Sequence, residues 1–228
     1  MLICNSCRHE NPIYYLNCEK CNSILRDKTV NIDLWSIISK LIDSPGEAFR
    51  KIIQSENKNF IFLHTVLIAL KVFLTCAIVL PYFSVPVTIN FLTIFFFFGY
   101  TLAILTFISL LIGALARIKD LKTRFKDNFS ILTYALMPVI IGTLFLFPLE
   151  IAVFGETLFY PEPSPFLVKN TFAYIFMSFE ILLFLWGMIL TVVAIKQQVK
   201  NIFSSIVLGA FMIFLMFILP LLLLHSVH

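Results

Sequence analysis

The stretch FIFLHTVLIALKVFLTCAIVL, residues 60–80, decides the fold of this chain. It is long enough to cross a membrane once, since a bilayer core requires about 20 apolar residues per helix. Four further stretches of the same kind lie at about 89–113, 129–149, 172–195 and 203–224. The sequence therefore predicts an all-α polytopic membrane protein with five transmembrane helices.

The composition also indicates a protein that is solvated by lipid. Hydrophobic residues make up 60% of the chain and charged residues 13%, whereas globular domains average about 45–50% and about 25%. The sequence has no Walker loop, Rossmann fingerprint, H-E-x-x-H pair or G-x-S-x-G elbow. Glu180 is the one deep carboxylate of the predicted spans, and a carboxylate without a partner acid or metal ligands makes a poor catalyst. We therefore predict no enzymatic activity, no catalytic residue and no bound organic cofactor.

The positive charges predict an orientation, because the cytoplasmic loops of membrane proteins carry an excess of Lys and Arg. Fifteen of the 17 basic residues lie before span one, between spans two and three, or between spans four and five. The opposite side has Lys169, beside Glu150, Glu156 and Glu162. We therefore predict a cytoplasmic N-terminus and a C-terminus outside.

The first 28 residues contain two C-x-x-C pairs separated by ten residues: Cys4, Cys7, Cys18 and Cys21. Two facing knuckles of this spacing present four thiolates as a tetrahedron, which is typical of one structural Zn²⁺. A rubredoxin-like iron site and redox-active thiols are the alternatives. We predict a zinc ribbon with a β-hairpin knuckle over residues 1–28, in which His9 is a surface residue. The net charge of +1 over this segment is too weak to predict binding of nucleic acid.

Residues 29–59 predict amphipathic helices between this head and the membrane. In NIDLWSIISKLI, residues 31–42, the apolar residues share one helical face that Trp35 adjoins. Ser44, Pro45 and Glu47 predict the start of a second helix, as N-cap, first helical residue and capping-box acid. Such helices could lie in the membrane interface, or they could simply dock against the helical bundle.

Two charges fall near the middle of predicted spans. Lys71 is nine residues from Leu80 and Glu180 is eight from Phe172, so the two lie at a similar depth in antiparallel helices. Isolated charges there cost on the order of 3 kcal/mol each, which favours an intramembrane Lys71–Glu180 pair. With His64 and Thr75 on the same span, the pair either belongs to a polar transport pathway or fixes the helix register.

Three strings carry a resemblance to a known family: SPGEAFRKI at residues 44–52, FSILTYALMPVIIGTLF at 129–145, and WGMILTVVAIKQQVKNIFSSIVLGAFMIF at 186–214. With the five-span plan, they resemble the Yip (Ypt-interacting protein) family over residues 34–224. The resemblance implies a five-span Yip-like membrane domain over residues 60–228. It also implies roles related to trafficking or membrane organisation, although the Phe-, Ile-, Lys- and Asn-rich composition suggests a prokaryotic cell membrane, where a Rab-type partner is not expected.

These observations predict a non-enzymatic scaffold or adaptor, embedded in the lipid bilayer, whose zinc ribbon docks an unknown cytoplasmic protein. The alternative is a small transporter or channel that uses the Lys71 and Glu180 polar pathway. Assembly into a homo-oligomer is left open by the sequence.

Overall fold

A computed structural model describes residues 2–85, 87 and 90–226. Five helical segments in this part of the chain are long and apolar enough to span a membrane: Ile61–Phe83, Phe91–Ile118, Met137–Phe159, Asn170–Val199 and Ile202–His225. The predicted fold class is therefore confirmed. Ile89, the predicted first residue of span two, lies outside the described residues.

The N-terminal head contains a short antiparallel sheet. Strand β1 (Leu2–Ile3) pairs with β2 (Glu10–Asn11), with Leu2 opposite Asn11 and Ile3 opposite Glu10. The cysteines, and not a hydrophobic core, lie at the centre of this head, as expected for a segment of about 20 residues.

Two helices connect the head to the spans, as predicted. Helix α1 (Leu34–Asp43) begins after Asp33, whose side chain accepts a hydrogen bond from the Ser36 backbone N–H. Helix α2 (Pro45–Gln54) begins at the predicted proline, but the Ser44 side chain makes no capping hydrogen bond.

The two helices differ in burial. Helix α2 buries Ala48, Phe49, Ile52 and Ile53 and contacts the helices Phe125–Ala135 and Asn170–Val199, so it docks against the bundle. Helix α1 leaves Trp35 and Ile42 exposed, and its place in the membrane interface stays a prediction.

The first two spans are nearly uninterrupted helices. The first consists of α3 (Ile61–Val79) and a 3₁₀ turn over Leu80–Phe83. The second is α4 (Phe91–Ile118), which begins after Asn90, whose side chain accepts a hydrogen bond from the Thr93 backbone N–H. The two helices pack against one another.

The third span differs from the predicted stretch at 129–149. A separate helix α5 (Phe125–Ala135), buried from Asp127 onward, ends before the span, and α6 (Met137–Ile141) starts the membrane crossing. Pro138 explains the interruption, because it has no N–H and its ring collides with the carbonyl four residues earlier. The crossing continues through a π-helical turn (Gly142–Leu146), α7 (Phe147–Phe154) and a 3₁₀ turn (Gly155–Phe159).

A short helix α8 (Pro165–Val168) leads to the last two spans. Helix α9 (Asn170–Val199) is the fourth span, and the fifth consists of α10 (Ile202–Ile213), a π-helical turn (Phe214–Ile218) and α11 (Leu219–Ser226). Both π-helical turns end two residues before a proline, Pro148 or Pro220. A locally wider helix accommodates a proline ring with less steric conflict, which accounts for both turns.

Glycine allows a close contact between the fourth and fifth spans. A Cβ added at Gly209 of α10 would lie 3.1 Å from Val192 Cγ2 of α9, so this crossing requires a residue without a side chain.

Candidate metal centre and intramembrane charged site

The four head cysteines lie together. Their Sγ atoms are all within 4.8 Å of one another, and the Cys4–Cys21 and Cys7–Cys18 pairs are each separated by 3.5 Å. Each pair joins one cysteine of the first knuckle to one of the second. The cluster therefore draws on both C-x-x-C motifs and can hold a metal ion.

The two knuckles have the same backbone geometry. The N–H of the first cysteine donates to the carbonyl five residues later, from Cys4 to His9 at 3.0 Å and from Cys18 to Ser23 at 2.9 Å. An antiparallel residue pair closes each knuckle, Ile3 with Glu10 and Asn17 with Ile24. The two motifs thus form equivalent loops that face one another.

Each knuckle also needs one residue in the left-handed backbone region. Arg8 has a φ of 55° and Asn22 a φ of 57°, and each directly follows the second cysteine of its pair. Asn tolerates this conformation better than most residues, whereas Arg adopts it at some cost. In the sequence, this left-handed conformation is indicated by the position directly after each C-x-x-C pair and not by the type of residue found there.

Hydrogen bonds lower the pKa of Cys4 and Cys18, whereas burial and the neighbouring cysteines, against a hydrogen bond from the His9 backbone, raise the pKa of Cys7 to about 12. The Asn11 side chain is fully buried and donates to the His9 carbonyl at 2.9 Å and to Cys18 Sγ at 3.5 Å. The Ser23 hydroxyl lies 3.0 Å from Cys4 Sγ, and this hydrogen bond lowers the pKa of Cys4 to about 5. Asn11 also accepts the Glu19 backbone N–H at 2.9 Å, which ties the hairpin to the second knuckle. The sequence analysis missed Asn11 because its role depends on contacts across the hairpin.

The donor set and its dimensions fit a four-coordinate metal. Sulfur atoms bonded at about 2.3 Å to a tetrahedral Zn²⁺ lie about 3.8 Å apart, which is within the observed spread of the cluster. The metal-competent group contains the four cysteines, and His9 is exposed. A set of four sulfurs leaves no position for a reacting water.

One side of the head packs on the helical bundle. The Arg124 guanidinium lies over the Tyr14 ring at 4.2 Å. Arg26 donates to the carbonyls of Tyr14 at 3.1 Å and Gln54 at 2.8 Å, and Lys122 pairs with Glu19 at 3.0 Å. The head and the connection between α4 and α5 therefore lie on the same side of the bundle.

A buried ion pair lies next to Arg124, one of the residues of this contact. Lys58 Nζ is 2.9 Å from Asp127 Oδ1, with side chains 1% and 0% exposed, and Arg124 Nε is 2.7 Å from Asp127 Oδ2. Lys58 also donates to the backbone carbonyls of Ile52 and Ile53. Burial lowers the pKa of Lys58, while the Asp127 carboxylate acts in the opposite direction. The sequence analysis missed this group, since its members come from a linker and a separate helix.

In the membrane-spanning region, the structure brings Lys71 and Glu180 together. Lys71 Nζ lies 2.6 Å from Glu180 Oε1. A Cβ added at Gly142 would lie 3.7 Å from the same oxygen, so the π-helical turn of the third span lies beside the Glu180 carboxylate. The pair therefore joins the first and fourth spans, and the third span lies next to it.

A cavity of about 530 Å³ surrounds this pair, and its lining corrects two expectations. Glu150, expected on the outer side, lies buried in α7 and lines the cavity with Lys71, Thr75 and Glu180. His64, expected on the polar line, is not among the residues that line it. It is buried instead against the Tyr134 ring, with 4.5 Å between ring centroids. Seven residues turn a helix by about 700°, close to two full turns, so His64 keeps nearly the same face as Lys71 but lies about 10 Å further along the helix axis, and the late start of the third span moves Glu150 inward.

Comparison with known proteins agrees with the fold. No curated protein and no solved structure matches the chain. The Yip1 domain profile matches residues 39–225, which include α2, α5 and the five spans. The chain therefore belongs to the Yip1 domain family.

Proposed function

We propose that the protein is a non-enzymatic membrane scaffold or adaptor whose metal-organised head docks a cytoplasmic protein. The observation that carries this proposal is the way the head is held. Its Tyr14 side is fixed to the bundle, while Ile24 and Ile3, next to the two knuckles, are 80% and 64% exposed. A rigidly held head with free apolar residues is suited to present a surface to a partner.

We propose zinc as the metal. Four thiolates in a closed tetrahedral arrangement are typical of structural Zn²⁺, and iron would use the same ligands. Bound metal would supply most of the folding free energy of a head this small. The ion would thus be a structural component, and Cys4, Cys7, Cys18 and Cys21 would be its ligands.

The orientation supports a cytoplasmic partner. The head lies on the same side as the basic connection between α4 and α5, through Glu19 and Lys122. Because basic connections remain in the cytoplasm, we place the head in the cytoplasm. The spans would lie in a prokaryotic cell membrane. The partner would contribute an apolar patch that covers Ile3 and Ile24.

Photo-crosslinking in cells tests this proposal. A diazirine amino acid is introduced at Ile24, at Ile3, or at Ile13, which is half-buried and packs against the bundle. We expect one discrete protein adduct from positions 24 and 3, none of the same mass from position 13, and loss of the adduct in Cys18→Ser. An identical pattern at all three positions, or crosslinks to lipid alone, would contradict docking by the head.

A second candidate, transport, is favoured by the cavity around Lys71 and Glu180. Proton flux into liposomes, measured with trapped pyranine, should then be lost in the Lys71→Leu/Glu180→Leu variant, in which both charges are removed together. Absence of flux in the parent protein, or equal flux in the variant, would eliminate this candidate.

A further inference from the structure

The cavity in the membrane-spanning region is lined by more acidic than basic side chains. Among the described residues that line it, one ammonium group and two carboxylates are present: Lys71, Glu150 and Glu180. Lys71 pairs with Glu180 at 2.6 Å. The Glu150 side chain is 7% exposed and makes no hydrogen bond or ion pair with any described residue. One carboxylate is therefore available to a ligand.

The rest of the wall is apolar and rich in aromatic rings. Six aromatic side chains from five parts of the bundle line the cavity: Tyr82, Phe154, Phe166, Phe176, Phe184 and Phe217. The faces of such rings attract cations, and aromatic cages of this kind recognise quaternary ammonium groups. The same rings provide a surface that an apolar body can cover.

We infer that this cavity binds an organic cation with an apolar body, such as a quaternary ammonium or phosphonium ion. Its charge would compensate the Glu150 carboxylate, and its substituents would contact the aromatic wall. An anionic amphiphile would instead meet two acidic side chains, and a lipid acyl chain would offer the buried Glu150 carboxyl group no polar partner. The volume of about 530 Å³ is within the range of small-molecule sites.

This inference is independent of the docking proposal and concerns binding, not movement across the membrane. A ligand that binds without flux would leave the inference intact and would eliminate transport. Loss of head-dependent crosslinks would likewise neither support nor contradict the inference that the cavity binds a cation.

The test uses the intact protein in phosphatidylcholine nanodiscs and tritiated tetraphenylphosphonium as the probe. We expect saturable binding that Glu150→Gln weakens about tenfold or more, because the substitution removes the carboxylate that would pair with the cation but keeps the shape. Glu156→Gln is the matched control. Glu156 is exposed, follows the same helix and does not line the cavity, so this variant should bind like the parent.

A second measurement needs no variant and does not depend on how Glu150→Gln folds. Triphenylphosphine oxide presents phenyl rings like those of tetraphenylphosphonium but carries no net charge, so it reports partition into lipid and apolar contact. We expect it to compete with tetraphenylphosphonium at least about tenfold more weakly than unlabelled tetraphenylphosphonium does. Equal competition by the neutral and the cationic compound, absence of saturable binding, or unchanged affinity in a folded Glu150→Gln variant would overturn the inference.

Discussion

Asp127 joins the linker, the head contact and the bundle through one carboxylate. It is fully buried and accepts from Lys58 at 2.9 Å and Arg124 at 2.7 Å. Arg124 in turn contacts Tyr14 of the head. Burial of charge is tolerated here because the carboxylate has two cationic partners and Lys58 has further carbonyl acceptors.

The Asp127→Asn substitution should lower the free energy of unfolding by about 3–5 kcal/mol, because it leaves the Lys58 ammonium buried without a counter-ion. Thermal unfolding in detergent micelles measures the loss. The control is Lys28→Ala, which breaks an exposed pair with Glu56 at 3.1 Å and should cost less than about 1 kcal/mol. Equal effects of the two substitutions would show that burial of the Asp127 pair is not important for stability.

The cysteines make a separate prediction about metal content. The parent protein should contain about one zinc per chain, and Cys18→Ser should contain much less, because three thiolates hold the ion more weakly than four. Elemental analysis of the purified protein measures the ratio. Cys76→Ser is the matched control, since Cys76 is buried in α3 and far along the chain from the cluster. Full zinc occupancy in a variant from which every one of the four head cysteines has been removed would refute the site.

At the scale of elements, the contact between the head and the connection before α5 determines how rigidly the head is held. Arg124→Ala removes the ring contact with Tyr14 and the hydrogen bond to the Ile53 carbonyl. We expect limited proteolysis within residues 27–33 to become several-fold faster, because this segment would then open more often. Arg117→Ala, at an exposed basic position near the end of α4, serves as the control and should be cut at the parental rate. If proteolysis of Arg124→Ala proceeded at the parental rate, Arg124 would not be a residue that holds the head against the bundle.

Helix-level features show where sequence reasoning succeeds and where it ends. Apolar length predicted the five spans, since bilayer thickness sets the requirement and depends on no tertiary contact. Spacing likewise predicted the cysteine group. The separation of α5 from the third span, the inward position of Glu150 and the burial of His64 were not predicted, because each depends on where a helix starts and which neighbour packs on it. Asn11 and Asp127 were missed for the same reason, as their partners are distant in sequence.

At the scale of the whole molecule, the orientation can be tested by substituted-cysteine labelling in intact cells. Glu162→Cys, between α7 and α8, should react with a membrane-impermeant maleimide, whereas Thr123→Cys, between α4 and α5, should react only after permeabilisation. The physical reason is the excess of Lys and Arg on the Thr123 side. The parent protein is the control and should remain unlabelled in intact cells, since the proposed orientation places its head cysteines in the cytoplasm. Labelling of Thr123→Cys before permeabilisation would reverse the orientation.

The whole molecule combines segments that are stabilised in different ways. We propose the division into a zinc ribbon over residues 1–28, connecting helices over 29–59 and a five-span domain over 60–228. A metal–thiolate cluster would stabilise the first, whereas helix packing within lipid stabilises the last. Loss of the metal should therefore unfold the head and leave the spans in place.

Hydrogen–deuterium exchange on the intact protein in nanodiscs, before and after zinc chelation, tests this central claim most directly. We predict that chelation greatly accelerates amide exchange in residues 2–25, including the knuckle amides of Cys4 and Cys18 that are hydrogen-bonded in the folded head. The spans should exchange as before. Unchanged exchange in the head after the zinc has been removed, or loss of protection throughout the spans, would contradict the account.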